Sequence, residues 1–169
     1  MDIYHLMKKL IFSFYKTQKL VCTAAGLAVL ETIENEKLQL NALNVGNYLI
    51  SKLKQLQSTK WCNIIGDIRG SGLFIGIEFN IITTSSNDNK RKIYKPATKE
   101  TSFICMILKE KYYILTSIDG FNDNVLVIKP PMCFSINDVD EFIHALDLVL
   151  DDLMLLDRND LDCILSTPT

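Results

Sequence analysis

The stretch GDIRGSGLFIGIEF, residues 66–79, decides how the rest of the chain is interpreted. Its second half has the two-residue period of a β-strand, with apolar side chains at Leu73, Ile75, Ile77 and Phe79. The intervening positions are also apolar until Glu78, so the pattern predicts a strand buried on both faces in the middle of a sheet. Within the stretch, Gly70, Gly72 and Gly76 indicate a bulge, or a close approach by other backbone or a ligand.

Two basic residues beside predicted strands are the candidate substrate-binding residues. Arg69 stands just before the buried run, where a guanidinium can bind a carboxylate or phosphate with two parallel hydrogen bonds. Lys129 follows a short apolar run and precedes Pro130, so its ammonium must reach water or an anion. Structural roles remain open for both residues: an ion pair for Arg69, and a side chain that simply reaches solvent for Lys129.

Composition limits the classes of function. With 169 residues, 48% of them hydrophobic, the chain is long and apolar enough for one domain with a real core. A formal charge of −2 gives no reason to expect nucleic acid or an anionic membrane as a partner. No run approaches the roughly 20 apolar residues of a membrane-spanning helix. Five scattered cysteines without a CxxC pair, and two isolated histidines, predict free thiols, a reducing intracellular compartment and no metal site.

Both ends of the chain are predicted to lie outside the domain. Residues 1–20 form a divergent N-terminal segment, whose apolar run at 10–15 is too short for a secretory signal and is closed by Lys16. The segment up to residue 20 also lacks the arginines of a mitochondrial presequence. Residues 155–169 are expected to be a flexible tail.

Periodicity predicts an α+β fold. Helices are expected at residues 22–33, 38–53 and 97–111, with a last helix that begins after Ser135 in a near capping box with Asp138. Short strands are expected at 112–115 and 125–128, joined as a hairpin, in addition to the strand of the opening stretch. Residues 58–63 and 83–99 are predicted to be loops. The result is a mainly antiparallel sheet of about three strands, covered on one side by helices.

Common nucleotide and nucleophile motifs are absent from the sequence. The glycines of RGSGLFIG are spaced GxGxxxG rather than GxGxxG, and an extended run follows where a dinucleotide site needs a helix. Neither a P-loop nor a GxSxG elbow occurs. The residues alone therefore indicate an α+β domain with two cations near a buried sheet, without naming a reaction.

Four segments, taken in order, resemble the C-terminal small domain of class III pyridoxal-phosphate-dependent aminotransferases. They are AGLAVL at 25–30, GDIRGSGLFIGIE at 66–78, SIDG at 117–120 and NVLVIKPPMCF at 124–134. The last segment is similar to the branch of the family that contains ethanolamine-phosphate phospho-lyase and alanine–glyoxylate aminotransferase 2-like proteins. The resembling domain extends over residues 21–154.

The resemblance implies a fold-type-I enzyme, in which a large domain holds pyridoxal phosphate on a lysine and a small domain completes active sites at a dimer interface. The parent reaction would be that of a transaminase, or of a phospho-lyase acting on a phosphorylated amine such as ethanolamine phosphate. By family resemblance the compartment would be the mitochondrion, and the cytoplasm stays open as the alternative. The cofactor lysine and its partner aspartate have no counterpart in the matching segments. No catalytic or cofactor-binding residue is therefore assigned, and the chain alone is expected to be inactive.

Two departures from the family bear on the substrate. The family's threonine and Gly-Gly-Asn-Pro turn, which contact cofactor phosphate, have no match in residues 15–20. Many aminotransferases of the class hold the substrate carboxylate with an arginine where this chain has Val127. The second departure weakens the interpretation as an amino-acid transaminase and favours a phosphorylated amine as the substrate.

Two other functions remain open at this point. The chain can be a non-catalytic interaction or dimerisation module that pairs with a full-length relative, because the apolar helix at 22–33 needs cover. It can also be an unrelated regulatory α+β domain that binds a small molecule, although no sequence feature marks the ligand pocket that this requires.

Overall fold

The computed structural model of the chain describes residues 20–84, 92–156 and 158–166. The chain divides into two compact units, Met1–Asn41 and Ala42–Thr169. In the first unit, helix α1 covers Leu20–Asn35, which confirms the helix predicted at 22–33. All its described side chains are at least partly exposed, and Val29 keeps 58% of its surface accessible. The rest of the predicted N-terminal segment lies outside the described residues.

Helix α2, Leu38–Leu56, leads into the second unit and ends in a π-helical turn, Gln57–Trp61. The turn replaces part of the loop predicted at 58–63. The buried face of α2 carries Val45, Gly46, Leu49 and Leu53, at the spacing of three and four residues that places side chains on one side of a helix.

The opening stretch forms a hairpin rather than one strand. Strand β1 covers Ile65–Ser71 and strand β2 covers Phe74–Thr84, and they pair antiparallel up to Ser71 opposite Phe74. The two residues between the strands make the turn, and Gly72 has φ +55° there, a conformation that L-residues with a Cβ rarely adopt. The glycine that suggested a bulge therefore reverses the chain.

The sheet has five strands, not the predicted three. Its strands run in the order β1-β2-β5-β4, and β3 pairs with the far end of β2; the added ranges are β3 Lys92–Pro96, β4 Ser117–Asp119 and β5 Val125–Ile128. All pairs are antiparallel, and β5 confirms the strand predicted at 125–128. Strand β3 lies within the segment predicted as a loop at 83–99. It pairs with the part of β2 that extends beyond β1.

The prediction of a strand at 112–115 is wrong. Helix α3, Thr98–Tyr112, ends there, because Tyr113 adopts the left-handed conformation and its N–H donates to the carbonyl of Leu108. Strand β4 begins only at Ser117, so the predicted hairpin exists with its first strand further along the chain.

Two helices complete the second unit. Helix α4, Ile136–Met154, begins at the predicted cap: the Ser135 hydroxyl accepts from the Asp138 N–H, and the Asp138 carboxylate accepts from the Ser135 N–H. Helix α5, Arg158–Ser166, replaces most of the flexible tail predicted at 155–169. Its Leu161 is buried in the core, so tertiary packing supports a helix that the isolated sequence did not indicate.

Helices of the second unit cover one face of the sheet, as predicted. Ile75, Ile77 and Phe79 of β2 are fully buried in one apolar cluster with residues from α2, α3 and α4. The alternate residues of β2 face the other way. Phe74 is 59% exposed there, so the prediction of burial on both faces is wrong.

Candidate functional site

The open face of the sheet carries a shallow concavity centred on Gly76. Arg69 of β1 pairs with Gly76, and Gly76 pairs with Val127 of β5. Residues directly opposite each other on antiparallel strands share a face, so Arg69 and Val127 flank a position that has no side chain. The opening has a volume of about 420 Å³, and we call it the open-face trough; its other lining residues are Gly70, Phe74, Asp119, Gly120 and Val125.

Gly76 is required for the trough to exist. A Cβ at this position would lie 3.1 Å from a methyl group of Val125, closer than ordinary van der Waals contact. Glycine therefore forms the floor of the trough, and the group that approaches it closely is a side chain rather than the backbone or ligand that was predicted.

Arg69 is held by two carboxylates on the trough wall. Its Nη1 donates to Asp67 Oδ2 and to Glu78 Oε2, both at 2.8 Å. The hydrogen bond from Arg69, followed by one from Asn80, lowers the pKa of Glu78 from its ordinary value. The ion pair weighed for Arg69 is therefore present. Both bonds use one nitrogen, which leaves Nε and Nη2 without a hydrogen bond to any residue that the structure describes.

The polar contacts continue along β2 through two asparagines that no sequence pattern singled out as functional. Asn80 Nδ2 donates to Glu78 Oε1 at 3.2 Å. Asn124, only 5% exposed, donates to the carbonyl of Phe79 at 2.9 Å and lies 3.3 Å from Asn80 Oδ1. These amides join the start of β5 to β2 and fix the register on which the trough depends.

Lys129 lies beside the trough rather than inside it. Its ammonium stands 5.9 Å from the centre of the Phe74 ring, within the range of a cation–π contact. Lys129 lines a second opening of about 420 Å³ together with Tyr113 and Pro130. Phe74 lines the trough, so it separates the two candidate cations, which do not share one concavity.

The lysines with shifted pKa values do not fit the carrier of pyridoxal phosphate. Lys60 donates to Asp151 at 2.6 Å, and this bond raises its pKa above the ordinary value. Lys111 donates to Asp152 at 2.9 Å, with the same direction of shift. A lysine that forms a Schiff base needs the opposite, a pKa lowered so that the amine loses its proton.

Residues 20–84, 92–156 and 158–166 hold neither a candidate metal cluster nor a candidate membrane-spanning helix. These ranges contain no cluster of three or more His, Cys, Asp or Glu side chains arranged to hold a metal ion. None of the helices in the same ranges is long and apolar enough to cross a membrane.

Comparison with known proteins gives a consistent match. The family model "Aminotransferase class-III" matches residues 15–150. An Arabidopsis thaliana protein, "Alanine--glyoxylate aminotransferase 2 homolog 2, mitochondrial", is 45% identical over 127 residues, which cover 75% of this chain and 24% of the relative. "Ethanolamine-phosphate phospho-lyase homolog 1" of Caenorhabditis elegans is 35% identical over 139 residues, which cover 82% of this chain and 27% of the relative.

A solved structure has the same fold. It is a phospholyase from Arthrobacter in complex with phosphoethanolamine, with a TM-score of 0.64 and 30% sequence identity. The match covers 80% of this chain and 29% of that one. The chain thus spans about a quarter of the length of these curated relatives.

Proposed function

Because the chain belongs to the aminotransferase class-III family, we propose that it forms the C-terminal part of a pyridoxal-phosphate enzyme that removes phosphate from a phosphorylated amine such as ethanolamine phosphate. The main support is Val127. It lines the trough at the position where the family resemblance expects an arginine for the substrate carboxylate. A substrate that has no carboxylate does not need that arginine.

We propose Lys129 as the principal cation for the substrate phosphate and Arg69 as a second. The charge of Arg69 is already compensated by Asp67 and Glu78, and only its Nε and Nη2 groups remain for an anion. The Lys129 ammonium contacts an aromatic ring rather than a carboxylate. Lys129 therefore has the larger uncompensated charge.

In this proposal, the lysine that carries the cofactor belongs to the part of the family that the chain does not match. Bound pyridoxal phosphate supplies an electron sink for the amine-bearing carbon. This chain contributes the trough, with Arg69 on its wall, and the Lys129 ammonium next to the Phe74 ring at its edge, and together these orient the substrate. By itself the chain is expected to lack activity.

A chimera tests the reaction. The chain replaces the corresponding C-terminal part of the Caenorhabditis elegans relative, and two products are measured: inorganic phosphate from ethanolamine phosphate, and amino transfer from alanine to glyoxylate. We expect phosphate release to exceed transfer by about tenfold or more, since 1.4 kcal/mol of selectivity gives that ratio. Dominant amino transfer would contradict the proposed substrate.

The role of Lys129 is tested in the same chimera. Lys129→Gln removes the ammonium and is expected to raise KM for ethanolamine phosphate about tenfold, the worth of one charge-assisted contact. Lys109→Gln is the matched control, because Lys109 is exposed on α3 and lines none of the openings described above. Equal KM values for the two variants would remove Lys129 from the site.

The inactivity of the isolated chain has a separate test. The chain is incubated with excess pyridoxal phosphate, reduced with borohydride and digested for mass spectrometry. We expect no stoichiometric phosphopyridoxyl group at any one lysine. A complete adduct at a single lysine would show that the chain carries its own cofactor.

Exposure of α1 favours a second candidate, a non-catalytic module that pairs with itself or with a full-length relative. Val21 is 82% exposed and Val29 58% exposed on a helix with few polar side chains. Light scattering and co-purification with the Caenorhabditis elegans relative test it, and a monomer that binds no relative contradicts it.

We also propose a mitochondrial location, based on the name of the Arabidopsis thaliana relative. Import into isolated mitochondria is the assay.

A further inference from the structure

A separate cavity of about 520 Å³ lies at the end of the sheet where β2 extends past β1. Its walls come from the π-helical turn and the residues that follow it, from β2, from the start of α3, from the end of α4 and from α5 with the segment that leads into it. They are mainly apolar and include Trp61, Ile64, Ile81, Ile82, Leu153 and Leu156. We call it the end cavity. It shares no lining residue with the open-face trough.

One carboxylate lines the end cavity without a partner. Glu100, the third residue of α3, is half-buried and makes no hydrogen bond or ion pair with any residue in the described ranges. Three other polar side chains line the wall, and Asn63 among them accepts only a weak hydrogen bond, from the Cys62 thiol at 3.9 Å. The other two are firmly engaged. Lys60 donates to Asp147 and Asp151, and the Asn80 amide bonds to Glu78 and Asn124.

The charges around the cavity select for a cation. The wall carries two charged side chains, Lys60 and Glu100. The charge of Lys60 is compensated by Asp147 and Asp151, which do not line the cavity, so the uncompensated charge on the wall is that of Glu100. A concave site bordered by low-dielectric walls concentrates such a field. An anionic ligand is therefore disfavoured, and a ligand with one positive charge and an apolar body matches both features of the wall.

We propose that the end cavity binds a protonated amine with an aromatic or branched apolar body, and that Glu100 pairs with its ammonium group. The volume lies within the range of about 300–1,000 Å³ typical of small-molecule sites. The apolar wall, including the buried ring of Trp61, accommodates the body of the ligand. This site does not depend on the proposed phospho-lyase activity, because it uses neither the trough nor pyridoxal phosphate.

Three probes that differ only in their polar end test the proposal on the full 169-residue chain. They are 3-phenylpropylamine, 3-phenylpropan-1-ol and 3-phenylpropanoate. Trp61 is the single tryptophan and lines the cavity, so its fluorescence reports occupancy. We expect the amine to bind about tenfold more tightly than the alcohol, as one charge-assisted hydrogen bond implies, and the carboxylate to bind most weakly.

Two variants identify the responsible group. Glu100→Gln is expected to weaken amine binding about tenfold, to the level of the alcohol, and to leave alcohol binding unchanged. Glu110→Gln removes an equal charge from an exposed position on the same helix and is expected to preserve the wild-type order. The urea midpoint of each variant is measured to confirm that it folds.

Three results would overturn the proposal. They are equal affinity for amine and alcohol, an amine preference that survives in Glu100→Gln, and the absence of saturable binding by any probe at millimolar concentration. The last result would mean that the cavity is only a packing defect between β2 and α5.

Discussion

Because α2 packs closely on the hairpin turn, adding one methyl group at Gly46 is predicted to destabilise the folded protein strongly. A Cβ at this position would lie 2.0 Å from the carbonyl oxygen of Gly72 and 2.4 Å from its carbonyl carbon. Both atoms belong to the backbone, so no side-chain rotation can relieve the overlap. In Gly46→Ala, either α2 or the turn must move by about 1 Å, since real Cβ atoms do not approach within 3.0 Å.

The expected net loss of stability follows from two opposing terms. Overpacking of this kind costs about 3 kcal/mol, at the upper end of the usual range, because Leu49 and Leu53 on the same helix are fully buried and limit its movement. Alanine recovers about 1 kcal/mol through its higher helix propensity. The free energy of unfolding is therefore expected to fall by about 2 kcal/mol.

Urea unfolding followed by Trp61 fluorescence measures the effect, and a loss of this size lowers the midpoint by about 1 M for a typical dependence on urea. Gly26→Ala is the matched control. A Cβ there meets no atom within 4 Å, so the same substitution in α1 is expected to stabilise slightly. If Gly46→Ala is as stable as Gly26→Ala, the close packing of α2 on the turn is not a feature of the folded protein.

Two further substitutions test the polar contacts. Asp147 accepts from Trp61 Nε1 at 2.7 Å and from Lys60 at 3.1 Å; burial alone would raise its pKa, but these hydrogen bonds outweigh burial and lower it. Asp147→Asn should therefore lose about 1 kcal/mol at pH 7. The deficit relative to wild type should shrink as the pH falls below about 4, because the carboxyl of the unfolded wild-type chain then takes up a proton while the folded one, with its lowered pKa, still resists protonation. Urea midpoints at pH 7 and pH 3 give the comparison, and a deficit independent of pH would contradict the pKa direction. Asn124→Ala should lower the free energy of unfolding by about 1–2 kcal/mol, because it removes a buried amide that joins β5 to β2. The control, Asn122→Ala at an exposed neighbouring position, should stay within about 0.5 kcal/mol of wild type in the same urea assay. Equal effects of the two substitutions would show that Asn124 carries no special contact.

Local patterns predicted the elements that a local signal specifies. The alternation in the opening stretch correctly identified β2 as an interior strand. The hydroxyl of Ser135 correctly marked the start of α4. Both follow from neighbouring residues alone, since strand alternation and helix capping involve side chains a few positions apart.

The elements that were missed depend on partners far along the chain. Ile93 and Tyr94 of β3 are exposed, so their segment shows no buried face, and pairing with the far end of β2 stabilises the strand. The turn at Gly72 could not be told from a bulge, because both need a glycine. Arg69 and Val127 were each selected for scrutiny, but only the register places them on either side of Gly76.

The strand order has a consequence for folding kinetics. The pairs β1–β2 and β4–β5 are both hairpins, whose contacts close short loops and form on a microsecond scale of about 1–10 μs. They meet only where β2 pairs with β5, and the whole of α3 lies between those strands in the chain. Closing that long loop carries the larger entropic cost, so completion of the sheet is expected to wait for this joint. Amide hydrogens there should exchange with solvent only when the whole unit opens.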